Sequence, residues 1–137
     1  MQALAIQQEI GDRRGEGATF NTLGIICDRL EDYDKAQHCY EQALTILQEI
    51  NDRQGEGATL NNLGIIFDGQ EDLDKAQHYH KQSLTIFQEI GDQQREGLAL
   101  SNLGIIAFKQ GENAQAERYC KQGLTIYLLF IVVEDFV

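Results

Sequence analysis

With 137 residues and 42% hydrophobic side chains, the chain is long enough for one compact domain or a short repeat array with an adequate core. Its 22 acidic against 11 basic side chains leave a net charge of −11, which repels phosphate backbones and anionic lipid and so argues against nucleic acid and membrane surfaces as partners. The three cysteines, Cys27, Cys39 and Cys120, are odd in number and show no CxxC spacing, a pattern expected of reduced thiols in a cytoplasmic protein.

Residues 1–10, MQALAIQQEI, match EQALTILQEI at 41–50, so the chain opens on what reads as the second helix of an incomplete unit. This stretch lacks the basic start, apolar block and cleavage site of a secretory signal. Leu4, Ile6 and Ile10 should pack on the helix that follows. Either the chain is a piece of a longer array or this end is a makeshift cap.

From Gly11 onward a unit of 40 residues recurs. GATFNTLGII at 17–26 returns as GATLNNLGII at 57–66 and GLALSNLGII at 97–106, and residues 11–50 and 51–90 are identical at 27 of 40 positions, which means stacked repeats. Gly11-Asp12, Asn51-Asp52 and Gly91-Asp92 read as punctuation, with Gly or Asn closing one helix in the left-handed conformation and Asp capping the next. Phe20, Leu23, Cys27 and Leu30 then fall on one face of a first helix, and Glu31-Asp32 forms an acidic turn. Ala36, Tyr40, Ala43, Leu44, Leu47 and Ile50 line a second helix of similar length. Each unit is thus an antiparallel hairpin of two helices of about 17 residues. Gly24, Gly64 and Gly104 lie inside first helices, where Gly costs about 1 kcal/mol relative to Ala. Close approach to Ala36, Ala76 and Ala116 of the second helices is the expected reason.

The order Phe20, Leu23-Gly24, Ala36, Tyr40, Ala43 resembles the tetratricopeptide repeat pattern. Leu60, Leu63-Gly64, Ala76, His80, Ser83 repeat it, as do Leu100, Leu103-Gly104, Ala116, Cys120, Gly123, with His80, Cys120 and Gly123 as departures. The 40-residue period and the absence of proline resemble the long-helix subclass of kinesin light chains, spindle-orientation adaptors and bacterial arrays. The resemblance implies an all-α, right-handed α–α superhelix forming one solenoid domain: a half-unit at 1–10, repeats at 11–50, 51–90 and 91–130, and a divergent apolar tail at 131–137. The third unit loses its polar face and its Gly-Asp stop from Tyr127, and residues 124–133 are apolar except for Thr125, too short a run to span a bilayer.

Charge is unevenly spread. Residues 11–50 and 51–90 each carry −4, whereas 91–130 balances four bases against four acids.

The chemistry-bearing side chains do not assemble into a catalytic motif. GEGAT at 15–19 and 55–59 has neither a preceding strand nor the Lys-Ser/Thr pair of a phosphate loop. His78 and His80 are two apart and point to different sides of a helix, while His38 and His78 should face solvent and His80 should be partly buried. No catalytic residue, metal site or cofactor is expected, and the chain is read as a non-enzyme.

What remains is a stripe along the first helices. It comprises Asn21, Thr22, Ile25 and Asp28, then Asn61, Asn62, Ile65 and Asp68, then Ser101, Asn102, Ile105 and Phe108. In the resembled family these positions line a concave groove that holds a peptide, and amides suit the task because they both donate and accept. The resemblance therefore implies a protein-interaction scaffold binding a neutral to basic peptide. The alternative is a self-associating or truncated piece of a longer repeat protein, joined head to tail through its apolar ends.

Overall fold

Five aspartates set the rhythm of the fold. The side chains of Asp12, Asp32, Asp52, Asp72 and Asp92 each accept the backbone N–H three residues on, at 2.9 to 3.4 Å, and so start a helix. The residue before each of them is left-handed: Gly11 (φ 71°), Glu31 (59°), Asn51 (61°), Glu71 (61°) and Gly91 (73°), with Gly111 (80°) before Glu112. From Asp32 on, the aspartate's own N–H closes the preceding helix, as in Asp32 N–H to Cys27 O (2.9 Å) and Asp72 N–H to Phe67 O (2.9 Å). One residue pair thus ends one helix and begins the next, which keeps the turns short and alike.

The computed structural model describes residues 2–136. It holds seven helices: α1 (Gln2–Ile10), α2 (Arg13–Arg29), α3 (Tyr33–Glu49), α4 (Arg53–Gly69), α5 (Leu73–Ile90), α6 (Gln93–Lys109) and α7 (Asn113–Phe136). The pairs α2–α3, α4–α5 and α6–α7 are the expected hairpins, and each second helix also packs on the first helix of the next hairpin. The core runs through these junctions, with Ala36, Tyr40, Leu63, Ile66, Phe67, Ala76 and Ile106 in one buried cluster spanning all three repeats. Ile66 and Ile106 are fully enclosed, but Ile26, their equivalent in α2, is 49% exposed, since among the described residues no earlier first helix lies against it.

The structure corrects several expectations. The inner glycines make room chiefly for the residue one turn beyond Ala36, Ala76 and Ala116, although the backbone carbonyl of Ala116 also lies 3.6 Å from a Cβ placed on Gly104. A Cβ on Gly24 would lie 2.5 Å from the Tyr40 ring, one on Gly64 2.6 Å from the His80 ring, and one on Gly104 2.9 Å from Cys120 Sγ. Leu30 is exposed, because it is the C-cap of α2 and lies past the last packed turn. Ile6 is exposed and Leu4 half-buried, so α1 uses less of its apolar side than expected, while the side chains of Ile10 and Val133 lie outside the described residues.

The third hairpin departs from the first two at its end. In repeats 1 and 2 an Arg at the start of the first helix pairs with a Glu at the end of the second, Arg13 with Glu49 and Arg53 with Glu89. The equivalent residues are Gln93 and Leu129, which cannot form that clamp. The ring of Phe87 packs against Gly57, but Tyr127, its counterpart, is 60% exposed, and Gly97 faces open space. With its Gly-Asp stop lost, α7 continues through residues 131–136 for 24 residues in all.

Candidate functional site

The stripe of the first helices is organised by side chains that reach from one repeat to the next, 41 residues on. Asn62 Nδ2 donates to Asn21 Oδ1 (3.4 Å), Asn102 Nδ2 donates to Asn61 Oδ1 (2.9 Å), and Lys109 Nζ pairs with Asp68 Oδ1 (2.8 Å). Each acceptor amide has a second donor. Asn21 Oδ1 also accepts from Thr59 Oγ1 (3.3 Å), and Asn61 Oδ1 accepts from His80 Nδ1 (2.9 Å), which places the imidazole proton on Nδ1.

His80 is the unusual member. Its ring is 2% exposed between Gly64 and Asn61, and burial, only partly opposed by the carboxylate of Asp68, lowers its pKa to about 4. It is therefore neutral in the folded protein at physiological pH, and it was expected to be only partly buried. Asn61, expected in the groove, is itself 8% exposed and holds two repeats together. Sequence reasoning passed over Thr59 as a partner of the stripe, and it placed Lys109 on the stripe without its pairing to Asp68. The signal for Lys109 was the offset of 41 between complementary residue types, whereas Thr59 lies 38 residues from Asn21 and is outside that pattern.

The other stripe residues are more open. Thr22, Ser101, Ile65, Ile105 and Phe108 are exposed, while Asn21, Asn62, Asn102, Ile25, Asp28 and Asp68 are half-buried. Among the described residues, Asn62 and Asn102 commit their Nδ2 groups to the neighbouring repeat and keep their own Oδ1 atoms uncommitted. Asp28 corresponds to Asp68, but Gly69 stands where a partner like Lys109 would be needed, so no cation reaches it from the next repeat. Burial raises the Asp28 pKa, with Arg29 acting in the opposite direction.

Elsewhere the titratable groups are scattered. His38 and His78 are exposed, and Cys27, Cys39 and Cys120 carry free thiols. Among the described residues no three His, Cys, Asp or Glu side chains come together as a metal site requires, and no helix is long and apolar enough to cross a membrane.

The tetratricopeptide repeat family model matches residues 1–49, 29–89 and 55–128. None of the curated proteins matches. Among solved structures, BtubC (BKLC) from P. vanneervenii is 25% identical with a TM-score of 0.85 over 93% of this chain and 53% of its own, so the chain spans about half the length of BtubC. The TPR domain of Arabidopsis FLU is 18% identical (TM-score 0.75; 82% of this chain, 95% of that one). The N-terminal domain of stress-induced protein-1 from C. elegans is 17% identical (TM-score 0.71; 81% and 84%). The chain is a member of the tetratricopeptide repeat family, an all-α right-handed solenoid.

Proposed function

We propose that the stripe of α2, α4 and α6 forms a concave groove that binds an extended, neutral to basic peptide of another protein, in a reducing, cytoplasmic setting. The observation that carries this reading is the amide ladder. It fixes Asn62 and Asn102 so that two carbonyl oxygens one repeat apart are left to accept from a partner's backbone N–H groups, beside the exposed apolar surfaces of Ile65 and Ile105. Asp28 adds a carboxylate without an inter-repeat cation at the other end of the groove, a place for a Lys or Arg of the peptide. No Lys or Arg occupies the positions of Asn21, Ile25, Asn62, Leu98 or Asn102, so a clamp for a C-terminal carboxylate is absent and the peptide is internal. The 40-residue period and lack of proline support grouping the chain with the long-helix arrays.

A peptide array at moderate salt tests the proposal. Binders should be enriched in basic and apolar residues and should weaken about tenfold or more when Asn62 and Asn102 are changed to Ala, the loss of one to two hydrogen bonds. Binders indifferent to that change and to Asp28→Asn would refute the groove.

A further inference from the structure

The face of the third repeat that points away from the array is not built to receive another repeat of this kind. Repeat 2 uses its outgoing polar side chains at four positions, and repeat 1 at two of the same four. Asn21 and Asn61 accept from Asn62 and Asn102, Asp68 from Lys109 and Asp74 from Gln110 (3.3 Å), while Gln48 and Gln88 donate to Glu56 and Glu96 (3.4 Å each). In the third repeat these four positions hold Ser101, Phe108, Ala114 and Leu128. Amide, carboxylate and carboxamide give way to a hydroxyl and three apolar groups.

What replaces them is an uneven apolar surface. Phe108 is 69% exposed, Tyr127 60%, Leu124 55% and Leu128 51%. Beside these bulky groups lie two hollows. A cavity of about 490 Å³ opens between Gly97 and Gly123, bordered by Leu98, Leu124 and Tyr127, where Phe87 fills the equivalent space one repeat earlier. Another, of about 540 Å³, opens beside Gly104, Phe108 and Cys120, where repeats 1 and 2 place the rings of Tyr40 and His80.

We infer that this face docks on the same face of a second copy of the chain, as a closed two-fold dimer. Two properties select that occupant. Repeats 1 and 2 carry −4 each and repel a second copy, whereas residues 91–130 carry no net charge and the last seven add −2, so a second copy meets less repulsion at this end than along repeats 1 and 2. The face also presents bulk next to hollow, Phe108 and Tyr127 next to the two cavities, which is what a self-complementary patch requires. Head-to-tail joining has no such basis. The larger contact at each junction between repeats sets a second helix against a first helix, whereas α1 and α7 are both second helices. Phe108 borders both surfaces, but the groove is tested at Asn62, Asn102 and Asp28 and the dimer at Leu124 and Leu128, so either reading can fail without the other.

Sedimentation equilibrium of the 137-residue chain decides the matter. The expected mass is twice the 15.5 kDa of one chain, reached at tens of micromolar and then constant, as mass action requires for closed pairs. Leu124→Glu with Leu128→Glu should halve that mass while the helical signal persists, and Ile6→Glu at the far end should leave the dimer intact. A 15.5 kDa species at about 100 µM, a mass that keeps growing with concentration, a dimer that survives the double substitution or one that is lost in Ile6→Glu would each overturn the inference. If the double variant unfolds, alkylation of the exposed Cys120 in the unaltered chain gives the answer. The rate should fall about tenfold between dilute and concentrated protein, and a rate independent of concentration refutes the dimer.

Discussion

His80 fills the space that a side chain on residue 64 would need, with its Cε1 and Nε2 atoms 2.6 Å from the ideal Cβ position of Gly64. The two residues are therefore one packing unit shared between α4 and α5. Gly64→Ala should cost about 1 to 3 kcal/mol by overpacking, and Gly64→Leu more. His80→Ala should cost a similar amount by leaving a cavity and stranding Asn61, but Gly64→Ala combined with His80→Ala should cost less than the sum, since the added methyl enters the vacated space. Urea unfolding of the four proteins gives the coupling, and simple additivity would show that the ring does not oppose residue 64.

The same histidine makes stability depend on pH. Its folded pKa of about 4 lies below the unfolded value of 6.5, so the fold favours the neutral ring. This contribution is complete above pH 6.5 and is lost as pH falls from there through about 4, reaching about 3 kcal/mol when the ring is charged in both states. His80→Gln, which can still donate to Asn61, should flatten the change in unfolding free energy between pH 7 and 4.5 relative to the parent chain. Carboxylate titration is common to both proteins and cancels in the comparison. Parallel pH curves would mean that the imidazole is not held neutral.

Glu31 and Glu71 adopt φ values of 59° and 61°, a region that costs an ordinary side chain about 1 to 2 kcal/mol. Gly111 does the same task in the third repeat without that strain. Replacing either Glu by Gly relieves the strain but raises the entropy of the unfolded chain, so the net gain should be about 0.5 kcal/mol per site. Removing a negative charge from an acidic surface acts in the same direction. Thermal midpoints that fall in both variants would contradict it.

Asn62→Ala and Asn102→Ala should separate binding from folding less cleanly than fully exposed positions would. Each removes a bond between repeats, at a cost of about 1 kcal/mol, and Asn102→Ala should cost more because its acceptor, Asn61 Oδ1, is buried. A melt that shifts equally for both, or not at all, would show that the ladder holds no repeats together.

Restoring the missing clamp offers a test of the loosened α7. Gln93→Arg with Leu129→Glu reproduces the pairs of Arg13 with Glu49 and Arg53 with Glu89, and an exposed pair of this kind is worth about 0 to 1 kcal/mol. The global melt should therefore move little, while amide exchange slows in residues 124–132. Unchanged exchange there would assign the exposure of Tyr127 to another cause.

The period, the helix lengths and the Asp caps were legible because each is written in nearest-neighbour chemistry: a Gly or Asn before an Asp, an apolar residue every three or four. Depth was not. Asn61 and Asn62 are adjacent amides on the same stripe, yet Asn61 is buried by a histidine 19 residues on, and only that distant partner distinguishes them. Glycine marked a close approach at Gly24 and Gly64, but spacing could not say whether Ala36 or Tyr40, on the same face one turn apart, was what approached. Of the candidate site, the residue types were readable and their commitments were not, because Asn62 gives away its donor and keeps its acceptor through a bond that crosses a repeat boundary.

The bonds between residues 41 apart also govern how such a chain could lengthen. A copy of residues 51–90 inserted after Ile90 would set its Asn62 equivalent on Asn61 and offer its own Asn61 equivalent to Asn102, sacrificing only the cation that now reaches Asp68. The same copy added after the third repeat would meet Ser101, Phe108, Ala114 and Leu128, none of which can answer its polar groups in kind. Duplication is therefore cheap in the interior and obstructed at the α7 face, so new units would accumulate more readily between the existing ones than beyond that face.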